Sequence, residues 1–339
     1  MCFDVLQRVR LHSIKLFAAV LFFPVMSFVH AFDIQGHRGA RGLAPENTLE
    51  AFAIALSLGV STLELDTGIT RDGAVIITHD TRLNPDVARG PDGRWLNPPT
   101  HAIHELTLHE LQRYDVGRLR PGSDYSHRFP QQRRMDKVRI PTLASLFELV
   151  RRSGNEVVRF NIETKLSPVT PAETAGPELF VRSLLAVIRE HRMESRVTIQ
   201  SFDWRTLQLV QQQAPGITTS YLSAQQSWTD NILAVRPVSN PSPWTAGISY
   251  AQHGSLPKMI KAAGGAVWSP YFLELNAESV KEAHALGIKV LPWTVNDTAD
   301  MERMIDLGVD GMISDYPDRL REIVQAKGLA LPAPSPVNR

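Results

Sequence analysis

Within 45 residues the chain sets out Gly36-His37-Arg38-Gly39, Glu64-Leu65-Asp66 and His79-Asp80, each at the close of an apparent strand. Glu64 and Asp66 stand two apart, so in a strand both project to one face while Leu63 and Leu65 take the other. On an inward barrel face, two carboxylates need a compensating cation. Their alternative is an exposed edge-strand pair or an arginine partner. Glu163 closes a later strand, Arg159-Phe160-Asn161-Ile162-Glu163-Thr164-Lys165, and the carboxyl ends of barrel strands are where such folds place their chemistry. Three carboxylates without cysteine form an oxygen-rich set that suits one divalent cation, Ca2+ or Mg2+, better than Zn2+.

His37 and His79 flank this acidic set. Taken singly, a histidine is a hydrogen-bonded structural residue; two at strand ends beside carboxylates suit acid–base work near neutrality. Cleaving a phosphodiester needs a base for the attacking oxygen and an acid for the leaving alkoxide, and this pair supplies both. His101, His104, His109, His127 and His253 are read as surface or cap residues. Arg38 offers a bidentate grip on phosphate oxygens and Lys165 a point charge; both could instead pair with Glu64, Asp66 or Glu163. Trp293, ending the seventh strand, and Phe202, after Gln200-Ser201, either line a substrate slot or fill the core. Asp315 either serves the site or caps the final helix, and capping is the favoured reading.

Positioning these groups takes a repeated frame. Strands are expected at Asp33–Gly36, Thr62–Thr67, Ala74–Thr78, Val157–Ile162, Arg196–Gln200, Thr218–Leu222, Ala266–Trp268, Lys289–Pro292 and Val309–Ile313. Asp72-Gly73 makes the turn between the second and third. Helices are expected at Asn47–Leu58, Glu173–Glu190, Asp203–Gln213, Ala277–Leu286 and Thr298–Asp306, the first with Thr48 or Asn47 as cap and Gly59 as stop. Strand–helix repeats with right-handed crossovers give a parallel sheet covered by helices. About eight such strands favour an α/β (β/α)8 TIM barrel over an open sheet, and no Gly-x-Gly-x-x-Gly follows a strand.

Residues 81–139 break the alternation, with a single helical patch at Leu106–Tyr114. They read as an inserted subdomain, or cap, after the second strand region, since a structureless loop of that length is improbable. The barrel domain is expected over 32–327. Residues 328–339, with Pro332, Pro334 and Pro336, are expected to be disordered. At the other end, basic Arg8, Arg10 and Lys15 precede the apolar run Leu16–Val29, and Val29-His30-Ala31 fits a signal peptidase site. Residues 1–31 read as a signal peptide, and the protein as exported, to the periplasm. The run is short of the ~20 residues a spanning helix needs, so no stable membrane insertion is expected after cleavage.

Cleavage would remove three basic residues and Asp4, taking the formal charge from +1 to −1. That near-neutral balance gives no electrostatic case for nucleic acid. Cys2, the only cysteine, would leave too, so no disulfide is expected.

The ordered set His37-Arg38-Gly39, Pro45-Glu46-Asn47-Thr48, Glu64-Leu65-Asp66, Thr70-Arg71-Asp72-Gly73, His79-Asp80, Ile140-Pro141-Thr142-Leu143, Asn161-Ile162-Glu163-Thr164-Lys165, Trp293-Thr294-Val295-Asn296 and Asp315-Tyr316-Pro317 resembles the glycerophosphodiester phosphodiesterase family over about residues 33–325. The resemblance implies a TIM-barrel hydrolase that releases glycerol 3-phosphate and an alcohol from deacylated phospholipids. It implies that Glu64, Asp66 and Glu163 bind the divalent ion, and that His37 and His79 do the acid–base work. Arg38 and Lys165 would hold the phosphate; beside what the resemblance implies, Glu46 is read as a supporting residue and Trp293 and Phe202 as candidates for the substrate wall. The resemblance also implies attack by the glycerol 2-hydroxyl, through a cyclic phosphate. Two features depart from the family pattern: Leu83-Asn84-Pro85-Asp86-Val87 after His79-Asp80, and an insertion rich in arginine (Arg113, Arg118, Arg120, Arg128, Arg133, Arg134). Both bear on head-group preference. The rivals are a barrel of the sphingomyelinase D kind, which would want an exposed apolar rim, and a catalytically silent binding protein, which would lack a histidine or carboxylate.

Overall fold

The computed structural model describes residues 31–337; the expected signal segment, up to His30, lies outside them. Eight parallel strands follow one another: β1 (Asp33–Gly36), β2 (Thr62–Ile69), β3 (Arg159–Thr164), β4 (Val197–Ser201), β5 (Thr218–Ser223), β6 (Val267–Pro270), β7 (Lys289–Val290) and β8 (Gly311–Ser314). They lie side by side in the order β7-β6-β5-β4-β3-β2-β1-β8. The seam between β7 and β8 is crossed by Asp310 N–H donating to the Val290 carbonyl and Ile313 N–H to the Pro292 carbonyl, both 3.0 Å. The sheet is thus a nearly closed TIM barrel.

One outer helix follows each strand: Leu49–Leu58, Leu143–Arg152, Pro177–Glu190, Trp204–Gln213, Leu256–Ala262, Ala277–Ala285, Thr298–Asp306 and Pro317–Ala326. The first shows how sequence sets these units. The Thr48 hydroxyl accepts from Ala51 N–H to start it, and Gly59 at φ 87° ends it. Phe52, Ala55 and Leu56, spaced for one helical face, are buried against the barrel wall. Phe52→Ala would cost about 3–5 kcal/mol by leaving a cavity. Among the described residues no helix is long and apolar enough to cross a membrane.

Most boundaries shift by one or two residues from the sequence expectation, and four differences have a clear physical reason. The seventh strand ends at Val290, because Pro292 has no N–H to extend its pairing. The helix expected from Glu173 begins at Pro177, where proline's missing donor does no harm; Glu173 instead accepts from Thr81 and Arg82. The helical patch Leu106–Tyr114 is one turn, Leu108–Leu111, held by a capping box of Thr107 and Glu110. Lastly, the tail expected to be disordered is packed across the base of the barrel as far as residue 337. Leu329, Leu331 and Val337 lie on the core, and Ser335 N–H donates to the Leu56 carbonyl at 2.8 Å. Its prolines forbid helix but leave an extended chain whose apolar side chains cover exposed core.

The insertion grows from the hairpin strand Val75–Ile77, which pairs antiparallel with β2. Ile76, Leu83, Ala88, Ile103, Leu106, Leu111, Val116, Val138 and Ile140 form a small core of their own, separate from the barrel's.

Candidate active site

The loop from β1 to its helix is built around unusual backbone. Arg38 (φ 49°) and Asn47 (φ 55°) occupy the left-handed region, a cost of order 1–2 kcal/mol for a residue with a side chain. The strain has a visible use. Arg38 N–H donates to Glu64 Oε2 at 2.8 Å, and Asn47 Nδ2 donates to Asp66 Oδ2 at 2.8 Å. Gly39 makes the turn possible: at φ 86° a Cβ would sit 2.8 Å from the Ala51 backbone.

Strand register then brings the acids together. Asp66 on β2 pairs with Glu163 on β3, and Glu64 with Asn161, all facing the barrel interior while Leu63 and Leu65 face the helices. A polar layer holds them: Gln200 Nε2 donates to Glu64 Oε1 at 2.7 Å, and Asn161 Nδ2 donates to Gln35 and Gln200, each at 2.9 Å. Oxygens of Glu64, Asp66 and Glu163 lie within 4.8 Å of one another. Asp66 Oδ1 is buried with no hydrogen-bond partner, although Lys165 Nζ is 3.8 Å away. An unsatisfied buried carboxylate oxygen in an all-oxygen triad fits a hard divalent cation. Burial and the neighbouring Asp66 charge push Glu64 well above the ordinary carboxylate range. Burial raises Glu163 to about 7 against the pull of Lys165. For Asp66, burial acts upward too, but Arg38, His79 and Lys165 outweigh it and hold the carboxyl low.

Each histidine has its Nδ1 tied to a carboxylate. His37 Nδ1 lies 2.6 Å from Asp315 Oδ1, and Asp315 also accepts from Arg41 Nε (2.8 Å), Arg41 Nη2 (2.9 Å) and Asn296 Nδ2 (2.7 Å). Burial depresses His37 to about 4, with Asp315 opposing and Arg41 adding to the shift. His79 Nδ1 lies 2.7 Å from Asp80 Oδ1, with both side chains about one third exposed. The protein atoms crowding its ring, then Arg38 and Lys165, lower His79 as well. If both Nδ1 atoms carry the hydrogen, as facing carboxylates favour, both Nε2 atoms are left for chemistry.

The expected anion clamp is occupied by acids. Arg38 Nη1 binds Glu46 at 2.7 Å and its Nε lies 3.2 Å from Asp66, while Lys165 Nζ donates to Glu163 at 2.8 Å. The ion-pair reading of these cations therefore holds: they neutralise the triad from positions on the wall of a single cavity. That cavity, about 270 Å³, is lined by His37, Arg38, Glu64, Asp66, His79, Glu163 and Lys165, and on its other side by Phe202, Trp228 and Trp293. Phe202 and Trp293 meet edge to face at 5.3 Å, with Trp293 Nε1 donating to the Ser269 carbonyl. The structure places both in the cavity wall rather than the core.

One reading is corrected. Asp315 caps no helix: the final helix starts after Tyr316 with no side-chain cap. Asp315 is fully buried against His37 and Arg41. The sequence reading also passed over Arg41, Tyr125 and Trp228. The Tyr125 hydroxyl of the insertion donates to Glu46, and Trp228 sits in the hairpin Gln225–Asp230 after β5. Arg41 and Asp315 lie 274 residues apart, so only the closed barrel makes them neighbours. The single usable signal was Asp315 at a strand's carboxyl end.

The model of the glycerophosphoryl diester phosphodiesterase family matches residues 37–319. The chain is 30% identical over 295 residues to the glycerophosphodiester phosphodiesterase of Caldanaerobacter subterraneus subsp. tengcongensis, covering 86% of this chain and 97% of that one. It is 28% identical to the glycerophosphodiester phosphodiesterase of Bacillus subtilis, over 85% of this chain and 84% of that one. The crystal structure of a Silicibacter pomeroyi protein superposes with a TM-score of 0.79 at 37% identity, over 89% and 96% of the two chains. An Oleispira antarctica phosphodiesterase in complex with the product sn-glycerol-3-phosphate shares the fold, with TM-score 0.64 and 22% identity over 87% and 97%. The chain belongs to the glycerophosphoryl diester phosphodiesterase family.

Proposed function

We propose that this protein hydrolyses glycerophosphodiesters to glycerol 3-phosphate and an alcohol, with a divalent cation and two-histidine acid–base catalysis. The observation that carries it is the buried carboxylate triad, with one oxygen unpartnered, beside two histidines each held at Nδ1 by an aspartate. Relatives that share most of their length with this chain carry the name of that activity.

Glu64, Asp66 and Glu163 would hold the ion, Ca2+ or Mg2+, which supplies Lewis-acid polarisation of a phosphoryl oxygen when bound. The chain's own groups do the rest. Arg38 and Lys165 bind the non-bridging oxygens and offset the charge that builds on phosphorus. One histidine Nε2 takes the proton of the glycerol 2-hydroxyl as it attacks, and the other protonates the departing alkoxide. Water then opens the cyclic phosphate with the two roles exchanged. The diester's negative charge offsets Arg38 and Lys165, the cations that lower His79, and so favours its protonated form in the complex. Phe202 and Trp293 would give the carbon skeleton an apolar wall.

A coupled assay for glycerol 3-phosphate from glycerophosphocholine, with and without EDTA, tests this reading. Expected is turnover that EDTA abolishes and Ca2+ or Mg2+ restores; activity indifferent to chelation would overturn the metal assignment.

A second reading has one observation in its favour. Although the insertion is polar, exposed apolar side chains occur in loops after β3, β5 and β6: Val169, Trp228 and Leu273. They would suit a substrate that keeps an acyl chain, as in a sphingomyelinase D-like reaction. Turnover of lysophospholipid with none of glycerophosphocholine would select this alternative. We also read the enzyme as exported to the periplasm on its basic-then-apolar leader; retention of the full-length chain in the cytoplasmic fraction would refute that.

A further inference from the structure

We propose that Arg128, delivered by the insertion, is a substrate-binding residue that pairs with an oxyanion of the diester; this rests on the phosphodiesterase reading. Four cations line the catalytic cavity: Arg38, Arg41, Arg128 and Lys165. Three are already balanced by carboxylates. Arg38 pairs with Glu46 and Asp66, Arg41 with Asp315, and Lys165 with Glu163, at 2.7–3.2 Å. Among the described residues Arg128 has neither a carboxylate nor a hydrogen-bond partner. Its guanidinium instead stacks over the Tyr125 ring, 4.7 Å from the centroid.

That stacking is what separates Arg128 from an ordinary solvated arginine. A guanidinium resting on an aromatic face keeps its fork of donors free at its edge. Tyr125 is itself fixed, because its hydroxyl donates to Glu46, the partner of Arg38. The insertion therefore anchors in the same ion network that binds the phosphate and holds one uncompensated positive charge at the cavity wall. An arriving anion meets a cation there that need not first leave a carboxylate. The oxyanion is either the scissile phosphate or a second anion on the head group, such as a carboxylate.

The test uses the full-length, metal-loaded enzyme and the Arg128→Ala and Arg128→Lys variants. Calorimetry measures Kd for inorganic phosphate, and steady-state kinetics measures KM and kcat on glycerophosphoethanolamine and glycerophosphoserine. Arg128→Ala is expected to weaken the affected step about tenfold, the scale of one charge-assisted contact, with Arg128→Lys recovering part of it. A weakening shared by phosphate and both diesters assigns the scissile phosphate; one confined to glycerophosphoserine assigns the head-group carboxylate. Values within twofold of wild type in all three measurements overturn the proposal. A wild-type enzyme that turns over neither diester refutes the phosphodiesterase reading, while the phosphate titration still reads Arg128.

Discussion

Two histidine–aspartate pairs face the same cavity, and they are built in opposite ways. His37 meets Asp315 across 278 positions of sequence, with side chains 11% and 1% exposed. His79 meets the very next residue, Asp80, with side chains 32% and 37% exposed. The first pair exists only when β1 and β8 are adjacent, and Arg41 and Asn296 lock its carboxylate from two further directions. The second is local and depends on Asn84, the first stretch of the insertion, to steady Asp80 at 2.7 Å. One imidazole is therefore oriented by the barrel and the other by the rim. Burial makes the barrel pair rigid but costly to disturb; exposure makes the rim pair tolerant and open to adjustment by substrate.

Removing the imidazoles should abolish the contrast altogether. His37→Ala and His79→Ala are each expected to lower kcat by roughly 10²- to 10⁴-fold, the usual reach of a positioned acid or base; near-wild-type rates in both variants would end the acid–base assignment. Next come the aspartates, where the pairs should separate. Asp315→Asn is expected to lower kcat on the order of 100-fold by freeing the His37 tautomer. It should also destabilise the fold by about 3–5 kcal/mol, because Arg41 is left buried without its partner. Asp80→Asn is expected to cost less than about tenfold in kcat and within about 1 kcal/mol in stability, since water can replace an exposed partner. Equal effects of the two substitutions, read by stopped assays and thermal melts, would dissolve the distinction.

A pH series sharpens it further. The native state keeps His37 neutral down to about 4, chiefly through burial, whereas in the unfolded chain it titrates near 6.5. Between those values the unfolded state binds more protons, so this contribution is full above pH 6.5 and fades as pH falls towards 4. Urea midpoints of wild type and His37→Gln should therefore converge over that interval; a constant gap would contradict the burial argument. The smallest effect expected is on the ion. Burial holds Glu163 at about 7 in the metal-free protein, so binding should release a proton and affinity should fall as pH drops below 7. Titration in two buffers of different ionisation enthalpy counts that proton, and a count of zero would refute it.

Sequence carried the parts of the site that are written locally. Glu64 and Asp66 advertise their common face by a spacing of two, and Glu163 its place by closing a strand, because strand geometry alone fixes those directions. The alternation of strands and helices carried the barrel for the same reason. Asp315 was misread because its value lies in β8 meeting β1, and closure leaves no local mark. Tyr125 was submerged in a polar stretch, and Arg128 was one of six arginines there, with nothing local to mark it as the one that reaches the cavity. The tail was misjudged because proline content argues against helix and says nothing about extended chain lying on a barrel's base.

The separate core of the insertion has a consequence for how such enzymes diversify. Ile76, Leu83, Ile103, Leu111 and Val138 pack chiefly with one another, so changes there need not be absorbed by the barrel wall. The insertion reaches the chemistry through Asn84, which steadies Asp80, and through Tyr125 and the cavity-lining Arg128. It has the makings of an exchangeable cassette: a copy that keeps Asn84 and Tyr125 but drifts elsewhere would alter which diesters are admitted while the carboxylate triad beneath it stays constant.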